Sequence, residues 1–314
     1  MTEAPFPVPP ARVRHPRRGY AMALAAALLW GFNGTVSKVT LKGALSSLEL
    51  VELRSIGAFA VLAAALLAIA PQQLRIRRSE LPWLIAFGIA GLAFVQLLYL
   101  IAIRRLDVGV ALLIEYTAPV LVALYARFVL KEHVRNRVWA AIALALVALA
   151  LIVDVAHGVT LDGVGVGCAL AAALAYAVYV LLAERSVGDR SAVSLLCWGF
   201  FFASVFWAFV APWWNFPFGR LDDSVSLLGH LSSHRLPVWL LMVSNVLVGT
   251  TVPFFLMVRA LRHLPATRVA IAAMAEPVIA TVVAWAWLGE SLGAAQLAGA
   301  GVVLAAIGLA QTAR

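Results

Sequence analysis

Charge is scarce in this sequence. Only 12% of its 314 residues are Asp, Glu, Lys or Arg, where an ordinary soluble domain carries about 25%, so a water-soluble globule is excluded. Cysteine is scarcer still. Cys168 and Cys197 are the whole complement, both within apolar stretches, which excludes a disulfide framework and a cysteine-rich metal centre. No Walker A motif occurs, so the chain carries no ATPase of its own, and no HExxH is present. No Ser, His and Asp fall together on plausible segments, and the histidines lie in the amino-terminal tail, in turns and in one loop. No row of arginines at every third position points to a voltage sensor. Lysine is limited to Lys38, Lys42 and Lys131; with the many alanines, that reads as a GC-rich bacterial genome. What fills the chain instead is apolar, 63% hydrophobic with a mean hydropathy of +0.96.

A stretch of about 20 apolar residues crosses the hydrocarbon core as a helix. Ten such stretches are read, at roughly 20–41, 47–70, 82–103, 108–130, 137–155, 163–183, 191–213, 237–258, 266–288 and 293–312. The expected class is an all-α polytopic membrane protein of ten transmembrane helices. Most turns between them are a few residues long, which leaves no room for a soluble catalytic or sensor domain. The exception is the loop Trp214–Leu236, with His230 and His234, read as a polar outward-facing loop rather than a metal site. Residues 1–19 are rich in Pro and Arg and read as a disordered basic tail. No small-residue cleavage site follows the first stretch, which reads as a retained helix rather than a signal peptide.

The net charge of +9 is a topology signal, not a nucleic-acid footprint. Arg12, Arg14, Arg17, Arg18, Arg75, Arg77, Arg78, Arg127, Lys131, Arg135 and Arg137 all flank one set of turns, as do most basic residues of the second half. Lys38, Lys42, Arg104, Arg105, Arg220 and Arg235 flank the other. The positive-inside rule then places both termini in the cytoplasm, with some contact to anionic lipid.

The sequence also repeats. AIRRLDVGVALLIEYTAPVLVALYARFVLKE (Ala102–Glu132) aligns without a gap on ALRHLPATRVAIAAMAEPVIATVVAWAWLGE (Ala260–Glu290), pairing Arg104 with Arg262, Pro119 with Pro277 and Glu132 with Glu290. Ten spans therefore divide into two fives, 20–155 and 163–312. Five is odd, so the second repeat enters from the opposite side of the membrane and the two are inverted. Proline inside a membrane helix frees a backbone carbonyl one turn earlier. Interrupted helices at matching places in two halves point to a transporter's binding site.

Glu115 lies one turn before Pro119, and its own carbonyl is the one that proline leaves unpaired. An ionised carboxylate at that depth costs about 2.5–3.5 kcal/mol on insertion scales and marks a substrate path, a proton relay or an ion pair; Arg54, in the second stretch, is the candidate partner. Glu276 precedes Pro277 directly, and its repeat-mate is Ala118, so the two acids are not equivalent. Trp30, Asn33 and Ser37 share one helical face. Gln96 and Tyr99, and Tyr176 and Tyr179, are spaced three apart, and Asn245, Gly249 and Pro253 share a face of the eighth stretch. Together these describe a wet internal cavity. Packing is the competing reading for the tyrosines, and the short motifs Gly163/Gly167 and Ala295/Gly299 read as close helix contacts. Trp213 and Trp214 read as interfacial belt residues. Glu132 and Glu290 read as caps of the proline-containing helices.

WGFNGTVSK at Trp30–Lys38, Arg54, ALLIEYTAPVLVAL at Ala111–Leu124 and AEPVIATVVAWAWLGE at Ala275–Glu290 resemble the drug/metabolite transporter superfamily, the last looking like its EamA domain. The Glu-Tyr-Thr-Ala-Pro run more narrowly resembles the threonine/homoserine exporter branch, which brings Glu115, Tyr116 and Pro119 to notice. The resemblance spans about residues 19–312. It implies two inverted five-helix repeats around a central cavity, and export of amino acids or related amphipathic metabolites from the bacterial inner membrane without a cofactor. Lys131 stands where the family has glycine, which predicts a different first turn. The resulting expectation is a secondary transporter, not an enzyme. Substrate contacts would come from Trp30, Asn33, Gln96, Tyr99, Glu115, Tyr116, Tyr176, Tyr179 and Asn245, charge or proton handling from Glu115, Glu276 and Arg54, and helix shape from Pro119 and Pro277. Its partners are a small molecule, membrane lipid and protons. Facilitated diffusion without protons, and carriage of drug- or lipid-like amphiphiles, stay open as alternatives.

Overall fold

The computed structural model describes residues 15–106, 108–152, 162–188, 190–211, 216–289 and 293–312. The readings for residues 1–14, Trp213, Trp214 and Glu290 lie outside the described residues. Among the described residues, eight helices are long and apolar enough to cross a membrane: α1 (Pro16–Gly43), α2 (Ser47–Ile69), α3 (Arg78–Arg105), α4 (Val110–Phe128), α6 (Gly163–Ser186), α7 (Ala192–Val210), α8 (Val238–Ala260) and α9 (Ala266–Leu288). The fifth helix of each repeat is α5 (Asn136–Ile152) and α10 (Ala294–Thr312). α1 starts at Pro16, so it takes in the end of the tail read as 1–19; proline at a first helical turn loses no hydrogen bond.

Local chemistry fixes several of these ends. Ser46 and Glu49 form a reciprocal capping box at the start of α2, with Glu49 N–H donating to Ser46 Oγ at 3.2 Å and Ser46 N–H to the Glu49 carboxylate at 2.6 Å. Asp162 caps α6 by accepting from Gly165 N–H at 2.7 Å, and Ser191 caps α7. Beyond these caps there is little amphipathic signal, because a helix in lipid is apolar on both its buried and its outer face.

The helices pack as an inverted pair. α5 lies against α10 and α2 against α7, each helix against its own repeat-mate. α1 packs on α8 and α9, while α6 packs on α3 and α4, which is the same relation with the repeats exchanged. The loop after α7 carries a small antiparallel hairpin, β1 (Ser224–Ser226) and β2 (Arg235–Pro237), that covers one end of the bundle through buried Val225 and Leu227. His230 and His234 in this loop contact the Ala286 carbonyl and Ser233, and no metal-ligand cluster occurs among the described residues.

Two sequence expectations need correction. Gly163 and Gly167 do not bring helices together: both are exposed, with nothing near an added Cβ, and it is Gly165, between them, that packs on Leu106. The Gly163/Gly167 pair therefore faces outward. Lys131 does not change its turn either. It adopts φ 56, and its repeat-mate Gly289 adopts φ 73, so lysine is held in the left-handed conformation that glycine adopts freely.

Candidate functional site

Both proline-containing helices are broken where the sequence expected. In α4 the regular helix stops at Glu115 and resumes at Ala118, with Thr117 turned back to donate to the Ile114 carbonyl at 2.7 Å. In α9 it stops at Ala273 and resumes at Ala275. The breaks meet across the two repeats, where the Tyr116 hydroxyl donates to the Glu276 carboxylate at 2.6 Å.

A second irregularity matches in the two halves. α3 is π-helical at Phe87–Ala93 and α8 at Leu247–Thr251, equivalent places in the repeat. A π-bulge shifts backbone pairing by one residue and frees polar groups. In α8 the freed groups are used. The Gly249 carbonyl accepts from Trp30 Nε1 at 3.2 Å and from Arg54 Nη2 at 2.7 Å. Thr250 Oγ1 accepts from Arg54 Nε at 2.8 Å while donating to the Asn245 carbonyl at 2.9 Å. Arg54 is thereby anchored to α8, not paired with Glu115, which corrects the expected ion pair: guanidinium planes bond well to two converging oxygens, and the bulge supplies them.

Arg54 borders a cavity between the repeats of about 70 Å³, room for about five waters. Trp30, Asn33, Arg54, Gln96, Tyr99, Glu115, Tyr116, Tyr176 and Glu276 all line it. Asn245 and Tyr179 do not. Asn245 is fully buried behind the wall, accepting from Ser37 Oγ at 2.8 Å and from Asn33 Nδ2 at 3.4 Å, and donating to the Leu241 carbonyl at 2.9 Å. Tyr179 is packed behind Tyr176, between Phe87 and Phe254. Pro119 and Pro277 are buried in the first turn of the helix that resumes after each break. The wall also contains Gly34, Ser37, Val95, Leu112 and Phe254. Helical spacing could have found several of them, since Leu112 lies three residues before Glu115 and Val95 four before Tyr99. Thr250 gave no signal beyond being a hydroxyl in an apolar span.

Polar groups of the wall remain unmatched. Asn33 Oδ1, Gln96 Oε1 and Tyr176 Oη are buried without a hydrogen-bond partner among the described residues. Buried polar atoms are nearly always paired, and leaving one unpaired costs about 1–3 kcal/mol. Acids from both repeats, an arginine with Nη1 unengaged by described residues, and aromatic walls thus converge on one small space. The space offers hydrogen-bond acceptors, carboxylates and a guanidinium together.

The sequence profile of the EamA-like transporter family matches residues 17–154 and again 163–312. The threonine/homoserine exporter RhtA of Escherichia coli (strain K12) is 26% identical over 237 residues, 75% of this chain and 73% of that protein. The uncharacterized transporters YwfM and YdfC of Bacillus subtilis (strain 168) are 26% and 24% identical over 86% and 67% of this chain. The matched region spans 85% of YwfM but 65% of YdfC, just under two thirds. A crystal structure of a protein at 20% identity superposes with a TM-score of 0.73, covering 93% of this chain and 96% of that one; at that identity the likeness concerns the fold.

Proposed function

The chain belongs to the EamA-like transporter family, and from that premise we propose that it exports small amino-acid-like metabolites across the bacterial inner membrane by proton-coupled alternating access. The observation that carries this reading is the shared cavity, whose wall holds Glu115 from the first repeat, Glu276 from the second, and Arg54. An α-amino acid offers an ammonium for the carboxylates and a carboxylate for the guanidinium, and each is a charge-assisted bond. Trp30, Tyr99, Tyr116 and Tyr176 supply apolar walls with polar tips, and Asn33 and Gln96 supply acceptors.

Transport follows from rocking the repeats about this site. Glu115, which has no ion-pair partner among the described residues, holds either the substrate ammonium or a proton, so that proton entry displaces the cargo. Both termini lie in the cytoplasm on the basic-residue asymmetry. The name of RhtA, a threonine/homoserine exporter, agrees with cargo of this size.

The test is efflux from proteoliposomes loaded with a mixture of amino acids and common metabolites, read by mass spectrometry with and without an imposed pH gradient. Selective loss of amino acids is expected, accelerated by the gradient in the natural chain and not in Glu115→Gln. Unchanged gradient dependence in Glu115→Gln removes the proton role. Efflux that ignores amino acids removes the cargo assignment.

A further inference from the structure

A third carboxylate is buried, outside this cavity. Glu52, in the second turn of α2, is only 2% exposed, and its Oε1 has no hydrogen-bond partner among the described residues. It borders a separate pocket of about 470 Å³ between α2 and α7, within the roughly 300–1,000 Å³ typical of sites for small organic ligands. The other walls are apolar except for Ser204, whose hydroxyl donates to the Phe200 carbonyl at 2.7 Å: Leu53, Ile56 and Phe59 from α2, Phe201, Val205 and Ala208 from α7, and Phe216 and Phe218 from the following loop.

Position and chemistry narrow the occupant. Glu52 sits at the end of the bundle covered by the hairpin, where Arg220 of the same loop reaches the Ala44 carbonyl just before α2. Phe216 and Phe218, with rings 4.9 Å apart, border the pocket from the loop. Phe59 and Phe201, rings 5.4 Å apart, lie further along the helices towards mid-membrane. Val205 and Phe218 are also exposed on the outer surface, so the pocket reaches the lipid-facing side. A lone carboxylate among phenyl rings is the complement of an ammonium, which gains a charge partner from Glu52 and ring faces around it. An apolar tail then follows α2 and α7 inward.

We propose that this pocket binds a cationic amphiphile, with its ammonium on Glu52 and its tail between Phe59 and Phe201. The site is independent of the export reading, because it shares no lining residue with the central cavity.

The test uses the full purified chain in maltoside micelles, with dodecyltrimethylammonium as the probe and native mass spectrometry as the readout. One saturable adduct is expected on the natural chain. Tetramethylammonium, with no tail, should give none. Glu52→Gln should weaken the adduct by about thirtyfold or more, as expected for deleting one member of a buried charge pair. Ala208→Leu, which fills the pocket and keeps the carboxylate, should weaken it too, and it decides the matter if Glu52→Gln fails to fold. Equal binding by the natural chain and both variants, or no saturable adduct, overturns the proposal. Freshly purified protein carrying phosphatidylethanolamine that the probe displaces assigns the site to a lipid headgroup; probe binding without such lipid assigns it to free amphiphiles.

Discussion

Lys131 and Gly289 occupy equivalent turns with the same left-handed backbone. The β-carbon of lysine strains that conformation by about 1–2 kcal/mol. Lys131→Gly is therefore expected to raise stability by about 1 kcal/mol, visible as a higher melting temperature, whereas Gly289→Lys should lower it. Tyr116 is a contrasting case, since its hydroxyl bonds a carboxylate across the two repeats. Hydrogen bonds to charged groups contribute about 1.5–3 kcal/mol. A double-mutant cycle of Tyr116→Phe and Glu276→Gln on thermal unfolding should return a coupling in that range. A coupling near zero would mean that the bond is not made in the membrane. Glu115 and Glu276 were both legible in the sequence as acids beside prolines, but Tyr116 as the partner of Glu276 was not. The two lie 160 residues apart, and no local pattern reports contact at that separation.

At the scale of the element, the π-segments of α3 and α8 matter most. The Leu247–Thr251 segment turns the Gly249 carbonyl towards Trp30 and Arg54. It also brings the Gly249 backbone so near α1 that an added Cβ would overlap the Asn33 amide. Overpacking of this kind costs about 1–3 kcal/mol. Gly249→Ala should lower the melting temperature accordingly and reduce transport, because Trp30, Asn33 and Arg54 shift together. An alanine that leaves both unchanged would show that the close approach is not maintained. The proline breaks were legible as prolines inside apolar runs. The π-bulges were not, because no residue type marks them; they arise where packing on the neighbouring repeat makes the shifted register the better one.

At the scale of the whole molecule, the repeats are joined at more than the cavity. The start of α1 meets the turn between α8 and α9, where the rings of His15 and His263 lie 5.9 Å apart. Burial and then the nearby His15, Arg18, Arg259 and Arg262 hold the His263 imidazole below its ordinary pKa. A histidine that resists protonation when folded binds more protons when unfolded. The fold therefore loses stability as the pH falls through the unfolded value of about 6.5, and the loss is complete below the depressed folded value. His263→Gln is expected to flatten the fall in melting temperature between neutral and mildly acidic pH. A fall as steep as that of the natural chain would locate the acid sensitivity elsewhere.

Class, number of spans, doubling and inversion were legible in the chain alone, because hydrophobic length and an odd helix count are properties of the chain read in order. So were the polar residues that could not face lipid, and most of these line the cavity: Trp30, Asn33, Arg54, Gln96, Tyr99, Glu115 and Glu276. The tertiary structure decided their pairing. It placed Asn245 and Tyr179 behind the wall, tied Arg54 to α8 instead of Glu115, turned Gly163 and Gly167 outward, and left Glu52 facing a pocket of its own. In a helix surrounded by lipid or by other helices, apolar residues suit every face. Rotation about the helix axis is then set by neighbours distant in sequence, and that rotation decides which polar group meets which.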